Sequence, residues 1–409
     1  MNRTLRRVMI AVVMIVSIVT IASSDDTRQI SIQYSTWGNA QEKAGEEAVV
    51  AAFMKAYPNI KVELIHVDGN YEQKLQTMIA GKTIPDVMSI GGAHIADFAN
   101  AFQPIPDSDI VSSKYIAETL VDGLTYNGQQ YALPKRVNTK VFAYNKDLLT
   151  KAGVALPGDN FSIEDFTNAA MAVANLGGEG QNKIFGSDPL WFGQWLYQFG
   201  GQMVSKDGKQ ALVNSPEAKK ALQFVVDAST KYHFAPNSTE KQGQNMLGWF
   251  ISGRVGFKAD FGPFFLPQMK GIKNFDWDIC APAGKGGEME IVGVGISKTT
   301  KELDAARKLV QFISTTKNAQ DIYATTGALP VINDSKEVFL NQFPDKNLEE
   351  FFNAMSYEIP QPRLKQTAKF ADTLYRTLRN RTAVGTGNED PVKVLDDVVI
   401  ELNKILAGN

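Results

Sequence analysis

Residues 190–201, LWFGQWLYQFGG, set five aromatic rings in twelve positions and close on two glycines. Trp191 and Trp195 are four apart, so on a helix their indoles share one face. Each indole carries an N–H that needs a partner when buried, so two neighbouring tryptophans suit a surface that meets another molecule better than a core. Signatures of bond-breaking chemistry are missing: the chain has no G-x-S-x-G elbow, no H-E-x-x-H helix and no P-loop, and it has three scattered histidines. No catalytic residue, metal site or cofactor is therefore expected. The lone G-x-G at Gly293 and Gly295 is too short a signal for a nucleotide.

The charge and cysteine content narrow the class. Arg3, Arg6 and Arg7 precede an apolar run from Val8 to Ile21 and the small residues Ala22, Ser23 and Ser24. That run is shorter than the roughly 20 residues that span a bilayer, and the pattern is that of a secretory signal peptide over residues 1–24; a retained membrane anchor is the competing reading. Removing it takes the formal charge from −2 to −5, which leaves no basic stripe for nucleic acid. Cys280 is the only cysteine, so no intrachain disulfide framework is available despite the export signal. The roughly 385 remaining residues exceed one domain's usual size, and two are expected.

The elements that must position the aromatic residues can be read in order. QISIQYST alternates as a half-buried strand, a helical spacing follows through Ala56, and IKVELIHV is a second strand. Leu75, Met78 and Ile79 mark a second helix ended at Gly81, and PDVMSIGG is a third strand, so a parallel three-layer α/β unit is expected. A second unit begins near residue 141. It includes a capping box at Ser162 and Asp165, and a helix capped by Ser215 with Pro216 in its first turn. RVGFKAD, DWDICAP and EIVGVGIS read as short strands, and the last hundred residues as mostly helical.

In this order and spacing the segments YSTWGN, YPNIKVEL, IPDVMSI, YNGQQYALPKRVNTKVFAYNKDLLTKAG, ISGRVGFKADFG and AARKLVQFISTTKNAQDIYATTGALPVINDS resemble the extracellular solute-binding proteins of ABC importers. Within that family they resemble the sugar-binding branch that includes maltose-binding protein. The resemblance covers nearly the whole mature chain. It implies a type II periplasmic-binding-protein-like α/β fold: two lobes, each a three-layer α/β sandwich, with a ligand cleft between them and several hinge crossings. Lobe one would be residues 25–137 with 298–332, and lobe two 140–297 with 333–409. The crossings would fall near 136–140, 294–297 and 329–332. The chain departs from many relatives at Ser24, where a lipid-bearing cysteine would follow the signal. Either the protein is free in a periplasm or it has lost a surface anchor.

A sugar ring presents C–H faces that lie on aromatic rings and hydroxyls that need directed partners. Trp191 and Trp195 are the candidate platforms in lobe two. Trp37, just past the first strand, is the candidate in lobe one, with Gly38 and Asn39 beside it for close backbone approach and an amide. Gly92 and His94 end the third strand. Lys135 and Arg136 stand where the chain crosses lobes. Trp249, Asp260 and Phe261, Gly293, and Arg363 complete the set. The expected activity is capture of a carbohydrate, an oligosaccharide for preference, by a monomer that closes on a hinge and delivers to membrane permease subunits. A secreted hydrolase and a surface sensor or adhesin are the competing classes. Turnover would mark the first, and sugar uptake unaffected by deletion the second.

Overall fold

The alternation of Ile30, Ile32 and Tyr34 makes strand β1 (Ile30–Trp37) in the computed structural model of the protein, which describes residues 28–241 and 245–408. The expected signal peptide and Ser24 lie outside the described residues. Asn39 then starts helix α1 (Ala40–Ala56): its side chain accepts from the N–H groups of Gln41 and Glu42, and Glu42 reaches back to the Asn39 N–H. Strand β2 (Ile60–Val67), helix α2 (Tyr71–Ala80) and the wholly buried β3 (Val87–Gly91) follow. β1 pairs in parallel with both strands, Ile30 opposite Ile60 on one side and Tyr34 opposite Val87 on the other. This is the expected strand–helix–strand unit, with its central strand covered on both faces.

Strand β4 (Leu133–Asn138) belongs to the first sheet and β5 (Val141–Asn145) to the second, so the chain passes between them at Thr139 and Lys140. The second lobe then adds α3 (Ile163–Ala174), β6 (Phe185–Ser187), α4 (Phe192–Gln198), α5 (Pro216–Thr230), β7 (Val255–Phe261) and β8 (Trp277–Cys280). Its sheet runs β8-β5-β7-β6. Ser162 and Asp165 form the capping box of α3, and Ser215 with Pro216 opens α5, both as the residue types require.

Strand β9 (Gly287–Ile296) returns the chain to the first sheet, antiparallel to both β3 and β4. Residues 287–297, assigned above to the second lobe, therefore run in the first sheet. Glycines permit this. A Cβ on Gly293 would lie 2.7 Å from Leu124 Cδ1, and one on Gly295 would lie 2.5 Å from the Tyr131 carbonyl. Helices α6 (Leu303–Thr315) and α7 (Lys317–Thr325) pack on the first lobe. Bridges Val137–Leu329 and Tyr115–Ile332 hold the next segment to it. Strand β10 (Glu358–Pro360) pairs with the start of β9. Helices α8 (Thr367–Arg381) and α9 (Pro391–Leu406) then bury Phe370, Leu374, Val394 and Leu402 in the core of the second lobe.

Candidate ligand-binding site

Two continuous depressions form one groove between the lobes, sharing Met203, Gln361, Pro362 and Leu364. One, of about 350 Å³, is lined by Asn70, Glu72 and His94 from the first lobe, Glu288 on β9, and Phe370, Leu374 and Tyr375 from α8. The other, of about 470 Å³, is lined by Tyr126 and Asn127 on one side and Tyr197, Ser205, Asp207 and Arg363 on the other. Both sizes fit small-ligand sites, and the lining mixes rings with carboxyl, amide and hydroxyl groups.

The aromatic pair that drew attention in the sequence is divided. Trp191 has extended backbone and is the N-cap of α4, so the rule that residues four apart share a helix face does not apply to it. It is 46% exposed, lines neither depression, and its ring lies 4.2 Å from that of the lining residue Tyr375, tilted by 31°. Gly193 makes room for this pair: a Cβ there would sit 2.6 Å from the Tyr375 hydroxyl. Trp195 is 0% exposed and packs among Phe142, Phe166 and Phe224, so it is core and not platform. Trp249 is also buried, stacked on Phe185 at 5.2 Å with Arg254 over its other face. Phe261 is 0% exposed against Phe265 and Phe351. In each case the apolar area of the ring is satisfied by the interior.

Lys135 and Arg136 are neither solvated nor free to grip a hydroxyl. The Lys135 ammonium contacts Glu46 and donates to Tyr34 Oη (2.8 Å), Thr36 Oγ1 (3.0 Å) and Ser89 Oγ (3.0 Å). Tyr323 donates to the same Glu46 at 2.8 Å. Burial resists ionisation of Glu46, but Lys135 and Arg136 outweigh it and hold the carboxyl below its ordinary range. Burial in turn draws Lys135 down to about 8. Arg136 pairs with Glu42 at 3.1 Å and lies over the Trp37 ring, which is itself 4.7 Å from Tyr71. The two cations thus brace the wall that carries Trp37, Tyr71 and the groove residues Asn70 and Glu72.

The remaining candidates separate by contact. Asn39 uses its side-chain oxygen as a helix cap, and Gly38, at φ 148°, carries the chain into that cap where a Cβ would strike Glu42. Gly92 and Gly293 serve packing: a Cβ on Gly92 would lie 2.7 Å from the Gly123 carbonyl, and one on Gly293 would strike Leu124 and Ala132. Asp260 pairs with Lys140 at 3.4 Å and lines neither depression. His94 and Arg363 do line the groove. His94 stands between Glu72 (3.8 Å) and Asp97 (3.9 Å), and Arg363 donates to the carbonyls of Asp122 and Thr125.

Asp97 joins the lobes. Helix α8 begins at Gln366, whose backbone is left-handed and whose side chain makes no cap. The N–H groups of Gln366 and Thr367 donate instead to Asp97 of the first lobe, at 2.7 and 3.3 Å, and Thr367 Oγ1 donates to the Ala93 carbonyl at 2.9 Å. Burial opposes ionisation of Asp97, yet these donors and His94 hold its carboxyl below the usual range.

Glu72, Tyr197, Glu288, Gln361 and Tyr375 were not singled out in the sequence. A signal existed for one of them: Glu288 and Glu290 interrupt an otherwise apolar strand, and a carboxyl in such a setting needs a reason. The others share elements with core residues and carry no such mark.

The family profile of bacterial extracellular solute-binding proteins matches residues 37–320. An arabinooligosaccharide-binding protein of Bacillus subtilis is 26% identical over 323 residues, covering 71% of this chain and 70% of its own. A galactooligosaccharide-binding protein of the same organism is 24% identical, covering 88% and 86%. The structure of an ABC substrate-binding protein of Listeria monocytogenes in complex with cycloalternan superposes with a TM-score of 0.83 at 25% identity, covering 93% of this chain and 99% of that one. Two sheets joined by repeated chain crossings, a groove between them and a profile match over most of the chain converge: the protein belongs to the bacterial extracellular solute-binding protein family.

Proposed function

We propose that the protein captures an oligosaccharide in the groove between its lobes and presents it, closed, to the permease of an ABC importer. The observation that carries this reading is the groove's composition: the rings of Tyr126, Tyr197, Phe370 and Tyr375 line it together with Glu72, His94, Glu288, Gln361 and Arg363, and exposed Trp191 lies against Tyr375. Aromatic faces suit the C–H surface of sugar rings, and the polar groups suit their hydroxyls. Relatives named for arabino- and galactooligosaccharides support the ligand class. Asp97, reaching across to the start of α8, supports closure: a ligand that bridges both walls favours the state in which these contacts exist. In this reading the protein works as a monomer outside the cytoplasm, in a periplasm or at the cell surface, binds no nucleic acid and leaves its ligand unchanged.

Calorimetry of the protein against short oligosaccharides of glucose, galactose and arabinose, with product analysis afterwards, tests the reading. Saturable heat with the sugar recovered intact is the expected result, with a dissociation constant near the micromolar range, about −8 kcal/mol. New sugar species would establish a hydrolase, and no heat with any sugar would remove carbohydrate as the ligand.

A further inference from the structure

Glu288 is a carboxyl on the groove wall without a cation. Tyr197 donates to its Oε1, and no ion pair reaches either oxygen among the described residues. Glu290, two residues along the same strand face, differs in having Asn138 Nδ2 at 2.8 Å. The titratable groups around Glu288 do not favour its charge. Tyr197 faces it from α4, Tyr375 from α8 and Glu358 from β10, while Glu72 and His94 line the groove opposite. Burial pushes the Glu288 carboxyl up to about 7, Tyr197 opposing in part. A ligand seated on this wall removes the remaining water and disfavours the charged form further.

We propose that Glu288 is protonated in the ligand-bound groove and donates from Oε2 to an oxygen of the bound sugar, Tyr197 fixing the other carboxyl oxygen, so that sugar binding takes up a proton from solvent. This rests on the oligosaccharide reading above and assigns the residue that sets its pH range. A sugar's ring and glycosidic oxygens only accept, and an ionised carboxylate also only accepts. The neutral acid is the form that complements them. The proton enters as the groove closes and leaves with the ligand. Tyr197 stays a donor to Oε1 throughout, so the carboxyl does not rotate between states.

The test is titration calorimetry at pH 8 in two buffers of different ionisation enthalpy, using whichever oligosaccharide of the panel gives heat at pH 6. The wild-type protein is expected to take up close to one proton per sugar, and its affinity to fall about tenfold per pH unit above pH 7. Glu288→Gln keeps a donor and an acceptor. It should take up no proton, and its affinity should stay constant from pH 6 to 9. Tyr197→Phe should weaken binding while retaining proton uptake. Heat at both pH values with no proton uptake by the wild-type protein would overturn the assignment and leave the sugar reading standing. That measurement needs no variant to fold. Proton uptake that persists in Glu288→Gln would overturn it equally. No heat with any sugar at pH 6 would instead overturn the oligosaccharide reading, and this assignment with it.

Discussion

Replacing Trp195 with alanine removes a ring that is wholly excluded from solvent and lies 4.6 Å from Phe224, 5.0 Å from Phe166 and 6.0 Å from Phe142. The neighbouring rings belong to different elements and cannot all collapse into the gap, so a cost of about 3–5 kcal/mol is expected. For a cooperative unit of lobe size, each kcal/mol lowers the melting temperature by roughly 2–4 °C. Trp195→Ala should therefore melt roughly 6–20 °C below wild type. Trp191→Ala is the matched control. Trp191 is 46% exposed and meets the groove-lining Tyr375, so truncation should move the melting temperature by no more than about 3 °C, in line with a surface change. It should weaken sugar binding about tenfold, or 1.4 kcal/mol, through the lost stacking face. Scanning calorimetry gives the first quantity and titration calorimetry at 15 °C, well below either melt, gives the second. Were Trp195→Ala to melt with wild type and lose affinity, the division of the two tryptophans between core and surface would be wrong.

Other outcomes follow from the same contacts. Lys135→Met leaves Glu46 buried without its ammonium partner, and urea unfolding should show a loss of about 3–5 kcal/mol. Asp97→Ala removes the side-chain acceptor of the Gln366 and Thr367 N–H groups at the start of α8; about 1 kcal/mol of closure is lost. Sugar affinity should fall about fivefold, with scattering of the liganded protein shifted toward the open form. Glu288 should also be visible in the unliganded protein. Its folded carboxyl titrates at about 7 instead of 4.5, so the folded state binds the extra proton between those values. Stability is full below pH 4.5, falls by about 1.4 kcal/mol per pH unit up to about 7, and is level beyond it. The difference in unfolding free energy between wild type and Glu288→Gln, measured from pH 5 to 8, should trace that slope. A flat difference would place Glu288 in water.

The parts of the fold that were legible in the sequence are those with local causes. Ser162 and Ser215 begin helices because their side chains reach N–H groups three residues ahead, and β1 and β2 show the alternation of a half-buried strand; Asn39 caps α1 in the same way, though its amide was read as a ligand contact. The candidate site was read less well. His94 and Arg363 line the groove and Trp191 is exposed against the lining residue Tyr375, while Trp195, Trp249 and Phe261 are interior. A ring's preference for a sugar or for a core is the same preference for leaving water, and residue type alone cannot separate them. Lys135 misled for the opposite reason. A lysine is nearly always solvated, and only a partner from a distant helix makes its burial tolerable.

By itself the sequence determined the strand and helix alternation, the caps and the order of segments, because propensity, capping and periodicity act within a few residues of chain. Tertiary structure alone decided which side chains face the groove. Glu46 meets Lys135, Asp97 meets Gln366 and Thr367, and Tyr197 meets Glu288 across 89, 269, 270 and 91 residues of chain. Burial and charge pairing depend on distances in space that nothing in local sequence encodes.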